Sequence, residues 1–124
     1  MQNAQETSSN LESRYTGMVV FNRAAMLKRL ADDESLLQIV IAAFVEDTPK
    51  QIDLLRHCLN DGDLQGAKLL AHSIKGAAAN AGGDLLREVA FMMEKMGNIV
   101  DLNAALEDLE REFERLKNVM EAGS

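Results

Sequence analysis

Several residue types are scarce in this 124-residue sequence, and each scarcity excludes a class of protein. There is no Trp and aromatic residues make up only 4%, so an apolar core must be built from Leu, Ala, Val, Ile and Met. The single cysteine, Cys58, excludes an internal disulfide and suits a reducing compartment. The longest apolar run, residues 39–45, is too short to span a bilayer. The first twenty residues contain no long apolar stretch of the kind found in a signal peptide. We therefore predict a cytoplasmic location and no membrane contact by this segment.

The charge balance is acidic, with 20 Asp and Glu against 13 Lys and Arg and a net charge of -7. A general nucleic-acid binder needs a basic face, so we expect no nucleic-acid partner. With 47% hydrophobic and 27% charged residues, the composition is that of an ordinary globular protein, and the length suits one domain. Residues 1–18 are rich in Gln, Asn, Ser, Thr and Glu, and we interpret them as a disordered leader or linker. The predicted domain covers residues 19–122.

Apolar residues recur at intervals of three and four through this domain, which predicts helices. Asn22 can cap a short first helix, and a second should begin at Asp32 or Asp33. Because Pro49 removes a helical hydrogen bond, we expect a kink or a break in the second helix near residues 46–48. Its apolar stripe consists of Leu37, Ile41, Phe44, Ile52, Leu55 and Leu59.

Three more helices follow, separated by short turns. The third is predicted to begin after Asp63 and to end at Gly82 and Gly83, and the fourth to cover residues 84–97. Asp101 is the expected cap of the fifth. Short loops between long helices are typical of antiparallel neighbours. We therefore predict an all-α fold, an antiparallel up-down-up-down four-helix bundle with a short additional N-terminal helix.

One histidine on the third helix has unusual surroundings, in the segment AHSIKGAAANAGG at residues 71–83. Helical geometry directs His72 away from the core stripe, and its surface neighbours at three and four positions further on are Lys75 and Gly76. Gly76 costs about 1 kcal/mol relative to Ala in a helix interior. An open surface next to the ring would let another molecule approach, and Lys75 could neutralise an anion on the imidazole. An exposed imidazole beside a cation is suited to carrying a phosphoryl group.

These residues resemble the histidine-containing phosphotransfer (HPt) domain family, whose motif is roughly H-x-x-K-G-x-x-x-x-x-G-x-x-x-L. The matching positions are His72, Lys75, Gly76, Gly82 and Leu86. The resemblance extends from about residue 20 to residue 120, including VFNRAAMLKRL near the start and FVEDTPKQIDLLRHCLNDGD before the motif.

The resemblance implies a phosphorelay intermediate and not an enzyme with a complete active site. His72 would accept a phosphoryl group from an aspartate of one response-regulator receiver domain and pass it to another receiver. Lys75 would stabilise the phosphoryl group, and the receiver would supply the Mg²⁺, so the chain itself needs no cofactor or metal. A docking surface would consist of Gln65, Lys68, Gly76 and Ala79. The chain would be a monomer, either standing alone or cut from a hybrid histidine kinase, which could be a partner in cis or in trans.

Two positions depart from the family pattern. Many relatives have Ser where Ala79 stands, and Ala where Gly83 stands. Ala79 has no hydroxyl, so a hydrogen bond to the histidine from that position is absent.

Other interpretations of the same residues remain open at this point. The domain could be a helical interaction module that docks receiver or kinase domains without phosphorylation, or a small metal-binding bundle, although no inward-facing pairs of carboxylates and histidines are apparent. DGDLQG at residues 61–66 imitates half of a calcium loop but lacks its last carboxylate. GAAANAGG lacks the Lys of a nucleotide-binding loop. Met92, Met93 and Met96 could fill the core or form an adaptable docking surface.

Overall fold

The structure, a computed structural model, describes residues 17–123. The predicted leader therefore lies outside the described residues at positions 1–16, as does residue 124. The described part contains five helices and no strand, which confirms the all-α prediction at this level. The helices are α1 (Arg23–Arg29), α2 (Glu34–Asn60), α3 (Leu64–Asn80), α4 (Asp84–Lys95) and α5 (Ile99–Ala122).

Helix α1 is fixed to the turn between α3 and α4 through its cap. The Asn22 side chain accepts a hydrogen bond from the backbone N–H of Ala25, at 3.1 Å, as an N-cap should. The Asn22 backbone N–H donates to the carbonyl of Gly82 at 2.7 Å. Gly82 has φ of +72°, a conformation that favours glycine, and a Cβ there would lie 2.7 Å from the Asn22 carbonyl oxygen. The short helix thus depends on a glycine at the end of α3.

Helix α2 is continuous, so of the predicted kink or break near residues 46–48 the break is wrong, and the kink stays a prediction. Asp33 caps it, and Pro49 lies inside one helix that continues to Asn60. The residues on either side of the proline are buried: Phe44 is 6% exposed, Thr48 1% and Ile52 5%. A proline in a helix interior costs about 3 kcal/mol, in part because it removes a hydrogen bond. The free energy gained by packing this stripe against the core outweighs that cost.

The cap of α5 also differs from the prediction. Asn98, not Asp101, is the N-cap, and its side-chain oxygen accepts from the Asp101 backbone N–H at 2.8 Å. Its amide group donates to the Asp101 carboxylate at 2.9 Å, so the two side chains close the first turn reciprocally. Asp101 is thus the third residue of the helix. Asp63 caps α3 as predicted, accepting from the Gly66 backbone N–H at 2.9 Å.

Helices α2 to α5 enclose one apolar core, with contacts between α2 and α3, α3 and α4, α4 and α5, and α2 and α5. Burial of a large apolar side chain stabilises the fold by about 1.5 to 3 kcal/mol. The predicted stripe of α2 is buried throughout. On α3 the fully buried residues are small, apart from Ile74: Ala67, Ala71, Ala78 and the cap Ala81. Between Gly17 and Gly123, no helix combines the length and apolar character that a membrane span requires.

Candidate functional site

His72 lies in the middle of α3 with its side chain outside the core. Its neighbours Ala71 and Ile74 are fully buried, while the His72 side chain is 62% exposed. This is the orientation that the helical spacing predicts, because the ring lies about 100° around the helix from Ala71.

A carboxylate from α4 joins His72 to Lys75. The Glu94 Oε2 atom lies 2.6 Å from the His72 Nδ1 atom, and its Oε1 atom lies 2.7 Å from the Lys75 Nζ atom. His72 and Lys75 are one turn apart on α3, so a single side chain from the packed neighbour reaches both. We refer to these three residues as the His72–Glu94–Lys75 cluster.

The cluster determines which ring nitrogen of His72 is available. The hydrogen bond from Lys75 holds the pKa of Glu94 below its usual value, with a smaller contribution from His72, while desolvation opposes both. An ionised carboxylate can only accept hydrogen bonds, so the His72 Nδ1 atom carries the proton. In a neutral imidazole the Nε2 atom then holds a free lone pair. The geometry therefore presents a nucleophilic nitrogen at an exposed position on α3.

Lys75 is held in place on two sides. Its side chain is only 26% exposed, and its Nζ atom lies 5.2 Å from the centroid of the Phe91 ring as well as against Glu94. An ammonium group has three donors, so the contact with Glu94 leaves others for an anion near the ring. The structure thus places a cation beside His72, as the spacing predicts, but pairs it with a carboxylate.

Next to this cluster the surface is open. A Cβ atom added at Gly76 would have no neighbour within 4 Å. A pocket of about 280 Å³ begins here, lined by Lys75, Gly76, Ala79, Arg87, Glu88 and Phe91. At its edge, the guanidinium of Arg29 in α1 donates to the carbonyl of Ala79 at 2.7 Å. The absence of large side chains on this part of α3 leaves room for another molecule beside the ring.

The remaining predicted docking residues lie on the same side of α3, towards its N-terminus. Gln65 is exposed and Lys68 is half-buried. Lys68 is four residues before His72 and Gln65 seven, so the spacing places them along one row with the ring. The structure therefore brings together Gln65, Lys68, His72, Lys75, Gly76 and Ala79 on one face.

Comparisons with known proteins identify the family of the chain. The family model of the Hpt domain matches residues 39–122, well over half of the chain. The chain belongs to the Hpt domain family. The recognition from the His72 motif is thereby confirmed, and the chain is a histidine phosphotransfer module of phosphorelays, an intermediate and not a classical enzyme.

The fold of this Hpt domain is also similar to a solved structure, the crystal structure of histidine-containing phosphotransfer protein B from Pseudomonas aeruginosa. The TM-score is 0.75 at 23% sequence identity, with 84% of this chain and 93% of the other covered. A search of curated proteins gives no significant match.

Sequence reasoning missed two residues beside His72 and Lys75, and one exposed apolar residue near them. Both come from α4, and only the packing of α4 against α3 brings Glu94 to His72 and Phe91 to Lys75. The sequence offers one indication of Glu94, its position directly after the inward-facing Met93. Leu69 is 68% exposed although apolar, three residues before His72. That spacing makes it a surface neighbour of His72, since residues three apart are neighbours on a helix.

The structure bears on two of the other interpretations, the metal-binding bundle and the calcium loop. In residues 17–123 no group of three His, Cys, Asp or Glu side chains is placed to hold a metal ion. The calcium-loop imitation is a helix cap, since Asp63 bonds to the Gly66 backbone. Met93 is fully buried, whereas Met92 and Met96 are half-buried.

Proposed function

We propose that the His72 Nε2 atom accepts a phosphoryl group from an aspartyl phosphate of one receiver domain and passes it to an aspartate of another. The observation that carries the proposal is the Nδ1 contact with Glu94 at 2.6 Å, which places the proton of a neutral ring on Nδ1 and directs the Nε2 lone pair to an exposed face. Among the ring nitrogens, only an unprotonated one can attack phosphorus.

The transfer balances without any further reactant. The Nε2 lone pair forms the N–P bond as the P–O bond to the aspartate breaks, and the aspartate leaves as a carboxylate. The proton on Nδ1 stays in its hydrogen bond to Glu94, whose negative charge offsets the positive charge that develops on the ring. The reverse sequence delivers the group to the next receiver.

Lys75 is the phosphoryl-stabilising residue in this proposal. Its ammonium group lies beside the ring and keeps donors free of Glu94. Metal chemistry belongs to the receiver: Mg²⁺ bound there would polarise the phosphoryl oxygens, and this chain contributes no cofactor.

The receiver would dock on Gln65, Lys68, Gly76 and Ala79, with Leu69 beside them. Gly76 and Ala79 leave space for its backbone, since nothing lies within 4 Å of a Cβ at Gly76. Residues 19–122 would act in the cytoplasm as a monomeric, antiparallel up-down-up-down bundle. It acts alone or as a domain of a hybrid histidine kinase, with that kinase as a partner in cis or in trans.

The experiment is phosphoryl transfer from a phosphorylated receiver domain, measured as acid-labile, alkali-stable label on this chain. His72→Gln removes the acceptor, and His57→Gln is the matched control because His57 is the only other histidine and is exposed. Label on the wild type and on His57→Gln, with none on His72→Gln, supports the proposal.

Label on His72→Gln would overturn it. The alternative, a phosphorylation-independent interaction module, predicts that receivers bind His72→Gln and the wild type equally but label neither.

A further inference from the structure

The cations of this acidic chain are not distributed evenly. On the helices away from His72 most of them are neutralised internally: the ion pairs are Arg23–Glu34, Lys50–Glu46, Arg56 with Asp53 and Glu110, Arg111–Asp108 and Arg115–Glu112. Within residues 17–123, the lysines and arginines without a carboxylate partner are Lys28, Arg29, Lys68, Arg87, Lys95 and Lys117. Most of these unpaired cations belong to the surface around His72.

A row of three residues on α4 is the clearest part of this pattern. Arg87, Phe91 and Lys95 follow at intervals of four, so they lie along one face of the helix. The Lys95 Nζ atom lies 3.9 Å from the centroid of the Phe91 ring, and Arg87 lines the pocket that begins at Gly76. Both cations are exposed. We call these three residues the α4 cationic row.

The acidic side chains on the same face do not neutralise the positive charge of the α4 cationic row. Glu94 is engaged by Lys75 and His72. Glu88 lines the pocket and is half-buried. The positive charges on this face outnumber that one free carboxylate. They are Arg87 and Lys95 on α4, Lys68 on α3, and Arg29, whose guanidinium donates to the Ala79 carbonyl. The face around His72 is therefore locally positive on a chain of net charge -7.

We infer that the α4 cationic row docks an acidic rim beside the acceptor aspartate of the receiver domain, and so selects among receivers by charge. This inference rests on the proposed function. A receiver that binds Mg²⁺ needs carboxylates around its acceptor, because Mg²⁺ prefers oxygen ligands. The overall charge of this chain would repel such a surface, whereas the row attracts it where docking must occur.

The inference is tested by charge reversal in two positions of the row and in one matched control. The variants are Arg87→Glu, Lys95→Glu and Lys117→Glu, which change the net charge equally. Lys117 has no ion pair in the described structure and lies seven residues after Glu110, on the side of α5 that contacts Arg56 of α2. It is thus remote from the face of α3 and α4. Circular dichroism would verify the fold of each variant.

The probe is a panel of phosphorylated receiver domains that differ in net charge around the acceptor aspartate. At low salt, Arg87→Glu and Lys95→Glu should each lower kcat/KM with the acidic receivers about tenfold, in the range of electrostatic steering. Lys117→Glu should stay within about twofold of the wild type, because its charge is remote. Added salt should slow the wild type and leave the two row variants less affected.

Each other outcome contradicts a specific claim. Equal losses in all three variants would mean that only net charge matters, and rates independent of salt would remove the electrostatic role of the row. Either result overturns this inference while label on His72 still supports the proposed function. If no receiver of the panel labels the wild type, the proposed function fails and the inference fails with it.

Discussion

Gly76 gives the sharpest test of the open surface. A glycine there should lower the stability of the helix while it keeps the surface beside His72 free for docking. It lies in the interior of α3, its φ is not in the left-handed region, and a Cβ there would meet nothing within 4 Å. The fold therefore gains nothing from glycine at this position. Gly76→Ala should raise the free energy of unfolding by about 1 kcal/mol, the difference in helix propensity. For a domain of this size that corresponds to an increase in Tm of about 4 to 8 °C.

A longer side chain at the same position separates stability from docking. Gln is also a good helix former, so Gly76→Gln should unfold no more easily than the wild type and is expected to gain about 0.5 kcal/mol. Its side chain would extend into the space beside the His72 ring and obstruct the receiver. Phosphoryl transfer to this variant should be blocked, while transfer to Ala104→Gln, which carries the same side chain on an exposed position of α5, should be normal.

Urea or thermal denaturation measures the first effect, and labelling by a phosphorylated receiver measures the second. Wild-type transfer by Gly76→Gln would refute the argument that this surface must be open. A loss of stability in Gly76→Ala would show that the glycine has a structural role that the open space around it does not reveal.

Three further predictions follow from the site and from the turn beneath it. Lys75→Ala should slow transfer or shorten the lifetime of the phosphohistidine while circular dichroism stays unchanged; wild-type values for both would disprove the role of Lys75. Because the hydrogen bond from Lys75 lowers the pKa of Glu94, a carboxyl-carbon NMR titration of Glu94 should have its midpoint below 4.5, and Lys75→Ala should raise it. The stabilisation from this carboxylate is thus present above pH 4.5 and is lost as the pH falls through the lower folded-state value; an unshifted midpoint would contradict the contact. Gly82→Ala should destabilise the fold by more than Gly62→Ala, as measured by urea denaturation. Both glycines have positive φ, at a cost of about 1 to 2 kcal/mol for Ala, but only at Gly82 would the Cβ collide, 2.7 Å from the Asn22 carbonyl oxygen. Equal losses of unfolding free energy in the two variants would show that the backbone shifts to avoid this collision.

Local periodicity was enough to predict the helices and the exposed side of α3. The α2 stripe is buried, and His72 is exposed, because burial on a helix follows from a repeat of 3.6 residues. This repeat can be recognised from residues that are close together in the sequence. The same reasoning overestimated Pro49, since propensity does not include the burial of Phe44 and Ile52 on either side of it.

The Glu94 contact could not be predicted in this way. It depends on the register of α4 against α3, which joins residues 72 and 94 across a turn, and no spacing within one helix contains that information. The cap of α5 shows a related limit. Asn98 and Asp101 are both good capping residues, and the backbone geometry at Asn98, not the residue type, decides between them.

The most direct measurement is the location of the phosphoryl group on the labelled protein. Long-range hydrogen–nitrogen NMR correlations of the imidazole rings identify which nitrogen of which histidine is substituted. The Glu94 contact predicts phosphorus on the Nε2 atom of His72, with the proton retained on Nδ1. Phosphorus on the His72 Nδ1 atom, or on His57, would contradict the account.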